Sequence, residues 1–371
     1  MTALQIAFMI SGQLLYTLLL LLTRSAKVSV LGCLVFCFNP ASIFFSAAYS
    51  ESVFTLLTLS GLILLYFDPT FPFLRHLGAA TFFALAFATR ANGLLNYGYI
   101  MYAVFIETLY DISEKKFIWQ QDCVTAILKL FRFLAVILMC WIVFGALVMA
   151  HGTRMQHKFC TQNETNLLSA DIINYANVNG LVLPGQLDNI SWCRNKANIV
   201  NPVPVFYPVI QGKYWDVKLF GYWQTKKIPC FILAFPALLI VIYGVSDYVR
   251  RLWKTYGSLA GVITMVITDP FCGLPFAVHA LVLSLSAVFL YNVEVVTRIL
   301  FSSSPFVYLA LANYMHRRTP LVTVSDLQYP PILPFFTNFS RTHLVHALIL
   351  FYLLSYFFIG TLLHVNWLPF T

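Results

Sequence analysis

From Ala3 to Leu22 the chain runs twenty residues without a single charge. At 1.5 Å per residue, a helix of that length crosses the roughly 30 Å hydrocarbon core of a bilayer. It is too long for the apolar stretch of a signal peptide and lacks the basic residues that precede one, so it reads as a membrane span. Apolar runs recur at Val28–Ala48, Ser52–Phe67, Leu77–Ala88, Gly93–Ile106, Ala135–Ala150 and Ile228–Val245. Further runs follow at Gly257–Thr268, Leu274–Tyr291, Val293–Ala312 and Leu344–Leu363. Composition agrees: 60% of residues are hydrophobic and 10% charged, against about 45–50% and about 25% in soluble domains. The expectation is an all-α polytopic membrane protein with roughly eight transmembrane helices.

The net charge of +9 does not point to nucleic acid, because no basic cluster is interleaved with stacking aromatics on a soluble domain. The cations flank apolar runs, where they set orientation. Arg24 and Lys27 place the first span's end in the cytosol, which puts the notch Tyr49-Ser50-Glu51 on the other side. Glu114, Lys115 and Lys116, with Lys129 and Arg132, return the chain to the cytosol, and Arg250, Arg251 and Lys254 do so again. Between them lies the one long hydrophilic segment, His151 to Lys227, on the non-cytosolic side. The expected division is therefore transmembrane helices over 1–150, a luminal loop over 151–227, and transmembrane helices over 228–371. Beyond residue 257 the parity is open: His316-Arg317-Arg318 argues for the cytosol and the sequon at Asn338 for the lumen.

The long loop carries the glycosylation sequons Asn163-Glu164-Thr165 and Asn189-Ile190-Ser191, in agreement with its assigned side. It also carries Cys160 and Cys193, which an oxidising lumen is expected to join as a disulfide, with two free loop thiols the alternative. No spacing of cysteines and histidines suggests a metal site, and there is no P-loop or dinucleotide-binding glycine motif.

Polar residues gather at the non-cytosolic face. Asn39-Pro40 interrupts any helix entering the notch. Glu51 is then the only charged group between Lys27 and Asp68. Such a carboxylate needs water, a partner or a substrate, and an interfacial residue at a span end satisfies the same pattern. Arg90 beside Asn92 suits a phosphate, whose geometry matches the guanidinium fork; a snorkelling anchor fits the position equally. In the loop, Tyr214-Trp215-Asp216 offers rings to stack on a sugar and a carboxylate to accept its hydroxyls, or simply an interfacial belt. Arg298, followed by Ser302-Ser303-Ser304-Pro305, places a cation before a hydroxyl cluster and a helix breaker. Broken helices at membrane depth line cavities. These features do not separate an enzyme acting on a lipid-linked substrate from a transporter or lipid scramblase, although no repeat of the kind transporters carry is visible.

Several stretches, in order over nearly the whole chain, carry a resemblance: NPASIFFSAAYSESVFTLLTLSG (39–61), ATRANGLLNYGYIMY (88–102), YPVIQGKYWDVKLFGYWQTKKIPCFILAFP (207–236), VHALVL (278–283), EVVTRILFSSSP (294–305) and LLHVNWLPFT (362–371). Together they resemble the PIG-V family of GPI mannosyltransferases. The resemblance implies a multispan glycosyltransferase of the GT-C type in the endoplasmic-reticulum membrane. It implies transfer of a second, α1,6-linked mannose from dolichol-phosphate-mannose to the GPI glycolipid precursor in the lumen. The implied partners are those two substrates and membrane lipids, with no cofactor, metal or nucleic acid. Under this reading Arg90 and Arg298 are candidates for the donor phosphate, and Glu51, Asn92 and Asp216 for sugar or acceptor hydroxyls.

One departure matters. The family places a His-Trp-Asp motif in a luminal loop after an N-terminal span, its aspartate the expected catalytic base. The only Trp-Asp here, Trp215-Asp216, lies in the later loop, so the catalytic residue is unassigned. The expectation is a chain lacking that span and loop, and as it stands unable to restore GPI-anchored proteins. A catalytically inactive, truncated family member is the accompanying alternative.

Overall fold

The computed structural model describes residues 3–67, 72–113, 121–161, 168–181, 193, 197–215, 217–269, 271–318 and 343–366. All regular elements among them are helical. The first is α1 (Ala3–Thr23), followed by α2 (Ala26–Cys37) and a one-turn α3 (Ser42–Ser46). The Ser25 hydroxyl caps α2 by accepting the Val28 N–H. Asn39 ends it: its amide donates to the Phe36 carbonyl at 2.7 Å and its Oδ1 accepts the Ala41 N–H at 2.8 Å. The Asn39-Pro40 interruption thus splits the run expected as one span over Val28–Ala48 into two helices.

α4 (Glu51–Phe67) and α5 (Pro72–Thr89) form an antiparallel pair beside α1. They approach closely where a Cβ on Gly61 would lie 2.4 Å from the Phe83 ring. A 3-10 turn, Ala91–Asn96, leads into α6 (Tyr97–Ser113). α7 (Gln121–Thr161) is a single helix of 41 residues, about 60 Å long at 1.5 Å per residue. It therefore continues past both ends of the span expected over Ala135–Ala150. The long loop holds α8 (Ala170–Val178) and α9 (Phe206–Trp215). Then follow α10 (Ile228–Tyr256), α11 (Leu259–Thr268), α12 (Leu274–Phe289), α13 (Val296–Ser303), α14 (Pro305–Arg318) and α15 (Leu344–Val365).

Among the described residues four helical stretches are long and apolar enough to cross a membrane: α1, Ile127–Lys158 within α7, Thr225–Tyr256 ending with α10, and α15. A fifth forms if Val293–Ser303 and Pro305–Arg318 are one span bent by 78°. Shorter apolar helices fill the interior, among them α2, α4, α5 and α12. The outer helices show lipid what a soluble protein would hide. Leu128, Phe131, Leu134 and Leu138 of α7 and Phe351, Phe358 and Leu362 of α15 are all exposed. With that surface the chain is a membrane-embedded multispan protein.

Side-chain contacts sort the helix ends into two groups. At one end, Asp247 of α10 pairs with Arg251 and with Arg317 of α14, both at 3.1 Å. Arg317 therefore lies at the same end of the bundle as the basic end of α10. At the opposite end, Tyr222 donates to Glu294 Oε2 at 2.5 Å, and the Trp223 indole donates to the Val288 carbonyl at 2.8 Å. The segment after α9 is thus fastened to the start of α13 and the end of α12. Cys160 and Cys193 are joined by a disulfide. Asn163, Asn189, Asp216, the Asn338 sequon and Trp367–Phe370 lie outside the described residues.

Candidate functional site

Glu51 is the first residue of α4 and has no exposed surface. Its position at a helix N-terminus favours the negative charge. Oε1 pairs with Arg90 Nη1 and, at 2.5 Å, with Arg298 Nε. Oε2 is buried with no hydrogen-bond partner among the described residues. One carboxylate therefore faces two guanidiniums that are 12% and 24% exposed at the side chain, and the cluster keeps one uncompensated positive charge.

Arg90 arrives by a break in the helical ladder, and Arg298 on the short helix α13 that ends at another. Arg90 is the extended residue between α5 and the 3-10 turn. The turn doubles back so tightly that a Cβ on Gly93 would lie 2.6 Å from the Phe87 backbone nitrogen. Glycine is required there for space rather than for its dihedral freedom. Asn92, in the same turn, accepts from Arg90 Nε at 3.4 Å and donates to the Ser303 hydroxyl at 2.5 Å. That bond joins the turn to the end of α13, where the chain bends before Pro305. Thr55 of α4 donates to the Ser302 carbonyl at 2.7 Å, holding the same bend from the other side.

Arg298 is further fixed by two rings, with its guanidinium carbon 4.8 Å from the Phe44 centroid and 5.2 Å from that of Tyr49. A cation over an aromatic face is held electrostatically without losing its capacity to donate. Tyr207 of α9 lies near enough for Arg90 to affect its titration. Burial and the neighbouring Tyr291 push its hydroxyl up, while the Arg90 guanidinium draws it down.

The structure thus brings together Glu51, Arg90, Asn92 and Arg298. It adds Phe44 and Tyr207, which the sequence did not mark, together with Tyr49 of the notch and Ser303 of the hydroxyl cluster. Tyr49 and Ser303 stood in quoted stretches, but nothing in their spacing showed that they would meet an arginine from elsewhere in the chain. A second group at this end also escaped notice: Glu294, bonded by Tyr222, lies 3.9 Å from Lys227, whose ammonium sits 4.7 Å from the Tyr222 centroid. Among the described residues no three His, Cys, Asp or Glu side chains gather as metal ligands.

Comparison with known proteins decides what this arrangement belongs to. A family model described as "Mannosyltransferase (PIG-V)" matches residues 1–371. The chain belongs to the PIG-V mannosyltransferase family. This PIG-V chain is 31% identical to "GPI mannosyltransferase pigv-1" of Caenorhabditis elegans, over 98% of its own length and 62% of that protein's. It is 29% identical to "GPI mannosyltransferase 2" of Drosophila melanogaster, over 82% of its length and 64% of the fly protein's. It is 26% identical to "GPI alpha-1,6-mannosyltransferase 2" of Homo sapiens, over 98% and 74%. The PIG-V chain therefore spans about six-tenths of the length of the worm and fly relatives. No solved structure matches it.

Proposed function

We propose that the protein transfers the second mannose, in α1,6 linkage, from dolichol-phosphate-mannose to the GPI precursor at the luminal face of the endoplasmic-reticulum membrane. Its family membership along the whole chain supports this reading. The observation that carries it at the site is the pairing of two guanidiniums with one buried carboxylate. In transfer from a lipid phosphate, negative charge accumulates on the departing phosphate, and fixed cations stabilise it most where water is excluded. Arg90 and Arg298 supply those cations, each with donors left after binding Glu51 and each partly exposed.

Glu51 and Asn92 take roles different from the binding of sugar or acceptor hydroxyls expected of them. Glu51 is enclosed beneath the arginines, so it sets their spacing instead of meeting a sugar. Asn92 spends its amide on Arg90 and Ser303 and fixes the turn in the same way. The reaction also needs a carboxylate to take the proton of the acceptor hydroxyl. That base is not assigned.

The test uses the gene in its own cells. Disrupting it should make GPI precursors bearing one mannose accumulate, as read by chromatography of labelled glycolipids. Introducing Arg90→Ala at the locus should produce the same species, with turnover at a fixed donor concentration lowered about 10-fold or more, the scale of one charge-assisted contact to phosphate. If a different precursor accumulates, or none does, the proposed reaction is wrong. If Arg90→Ala is silent while disruption behaves as expected, only the phosphate assignment fails.

A further inference from the structure

At the opposite end of the bundle, the last turn of α4, the first turns of α5, the end of α6, α7 and the end of α11 enclose a cavity of about 750 Å³. About twenty-two ångströms of α4 separate its lining residue Tyr66 from Glu51, at 1.5 Å per residue, so this is not the site described above. Most of its lining is apolar, including Leu65, Phe133, Val136 and Phe271.

Three polar groups in this lining are buried and, among the described residues, have no hydrogen-bond partner. The Tyr66 hydroxyl, on a residue 6% exposed, has no hydrogen-bond partner. Nor does Nε2 of His76, a residue 2% exposed, although it lies 3.4 Å from Glu107 Oε1. Arg75 pairs with Glu107 through Nη2 but leaves its Nε unmatched. A buried polar group without a partner is costly, and here every one of the three can donate a hydrogen bond. Lys129 and Arg132 stand at the rim with Asp111, so among the described lining residues cations outnumber carboxylates even with His76 neutral.

We propose that this cavity binds a phospholipid of the cytosolic leaflet whose headgroup ends in an exposed phosphate. The phosphate accepts from Tyr66, Arg75 and His76, and an acyl chain lies along the apolar wall of α6 and α7. Three buried donors and excess positive charge select an anion with several acceptor oxygens. The apolar lining, on helices that face lipid, selects a membrane amphiphile over a free ion. The Arg24, Lys27 and Arg250–Arg251 charges place this end in the cytosol.

The protein reconstituted in phosphatidylcholine vesicles would be labelled with a phosphatidic acid carrying a diazirine on its acyl chain, and the adducts mapped by mass spectrometry. Labelling should concentrate on the cavity-facing residues of α6 and α7, such as Ala103, Val136 and Met139. Unlabelled phosphatidic acid should compete at least tenfold better than phosphatidylcholine. Tyr66→Phe removes one oxygen while keeping the ring, and should weaken that competition about tenfold, the weight of one hydrogen bond to a charged group. Met139→Trp, which fills the space from the exposed face of α7, should abolish labelling while Glu51 and Arg90 stay untouched. Equal competition by phosphatidylcholine, or adducts spread evenly over the lipid-facing helices, would show bulk lipid only and overturn the proposal. Competition by inorganic phosphate would show a free-anion site and overturn it as well. An unchanged Tyr66→Phe protein would remove the headgroup assignment on which the proposal rests.

Discussion

Glu51→Gln should be among the most destabilising single-atom changes available to this chain. The substitution keeps the shape of the side chain and removes its charge. It leaves Arg90 and Arg298, which now share Oε1, facing one another without a counter-ion. Breaking a buried ion pair from one side costs about 3–5 kcal/mol, because the surviving charge remains desolvated. Glu51 has no exposed surface, so water cannot replace it without opening the start of α4. With an unfolding entropy of roughly 2.1 cal/mol/K per residue over 371 residues, the loss corresponds to a fall of about 4–6 °C in the midpoint. The assay is the monodisperse fraction remaining on size exclusion in detergent after heating at graded temperatures. A second variant separates this mechanism from a general packing defect. Glu51→Gln combined with Arg90→Gln leaves Arg298 alone, still seated on Phe44 and Tyr49. The double variant should therefore lose less than the two single changes add up to, with a coupling of about 1–3 kcal/mol. A midpoint unchanged within 1 °C for Glu51→Gln, or strictly additive losses, would refute the idea that the carboxylate holds the two arginines in place.

Other outcomes follow from the same contacts. Gly93→Ala should sharply lower the folded yield, since its Cβ would meet the Phe87 backbone at 2.6 Å. Gly98→Ala, which meets nothing within 4 Å in the first turn of α6, should be neutral or stabilise by up to about 1 kcal/mol; the same heating assay reads both. A tag inserted at Asn177 should survive protease in sealed microsomes, and endoglycosidase should shift the protein through glycans on Asn163 and Asn189. Digestion of that tag from the cytosolic side would reverse the topology. Peptide mapping without reduction should recover Cys160 and Cys193 in one cross-linked species, and recovery of both thiols alkylated would contradict the bridge.

Much of the architecture was legible because it follows from local rules. Lipid demands long apolar helices, and the helix breaks at Asn39-Pro40 and Ser304-Pro305 were visible in the residues that cause them. Lengths were less accessible. Nothing in the polar stretch before Ala135 indicated that α7 would run unbroken from Gln121 to Thr161, because amphipathic and apolar turns continue one helix without a marker. At the site, the charged members stood out for a different reason. Glu51, Arg90 and Arg298 are rare charges in apolar surroundings, where each must find a partner. Their pairing with one another was not visible, since positions 51, 90 and 298 meet only through tertiary packing. The cavity around Tyr66, Arg75 and His76 left even less signal. Its donors are ordinary residues at helix ends, and only the folded geometry brings them into one lining with N–H and O–H groups left without a hydrogen-bond partner among the described residues.

The helix breaks explain why the arginine cluster lies where it does. A continuous helix in lipid satisfies its own backbone and presents only side chains along its faces. Three interruptions, after Phe38, at Arg90 and at Ser303-Ser304, meet around the start of α4. Each frees backbone groups that must be satisfied locally. Asn39 takes up the Phe36 carbonyl, Ser52 the Phe45 carbonyl at 2.6 Å, Thr55 the Ser302 carbonyl, and the Tyr308 hydroxyl that of Phe301. The Asn39 bond is local, but the other three side chains come from a different element, so their repairs also fasten one element to another: Ser52 joins α4 to α3, Thr55 joins α4 to the α13 bend, and Tyr308 joins α14 to α13. The backbone is thereby held in several directions at the level where Arg90 and Arg298 enter. A pair of cations separated by one carboxylate keeps its spacing only if the chain beneath it cannot relax. The apolar core around α4 and these reciprocal bonds supply that rigidity, and they do so before any substrate arrives.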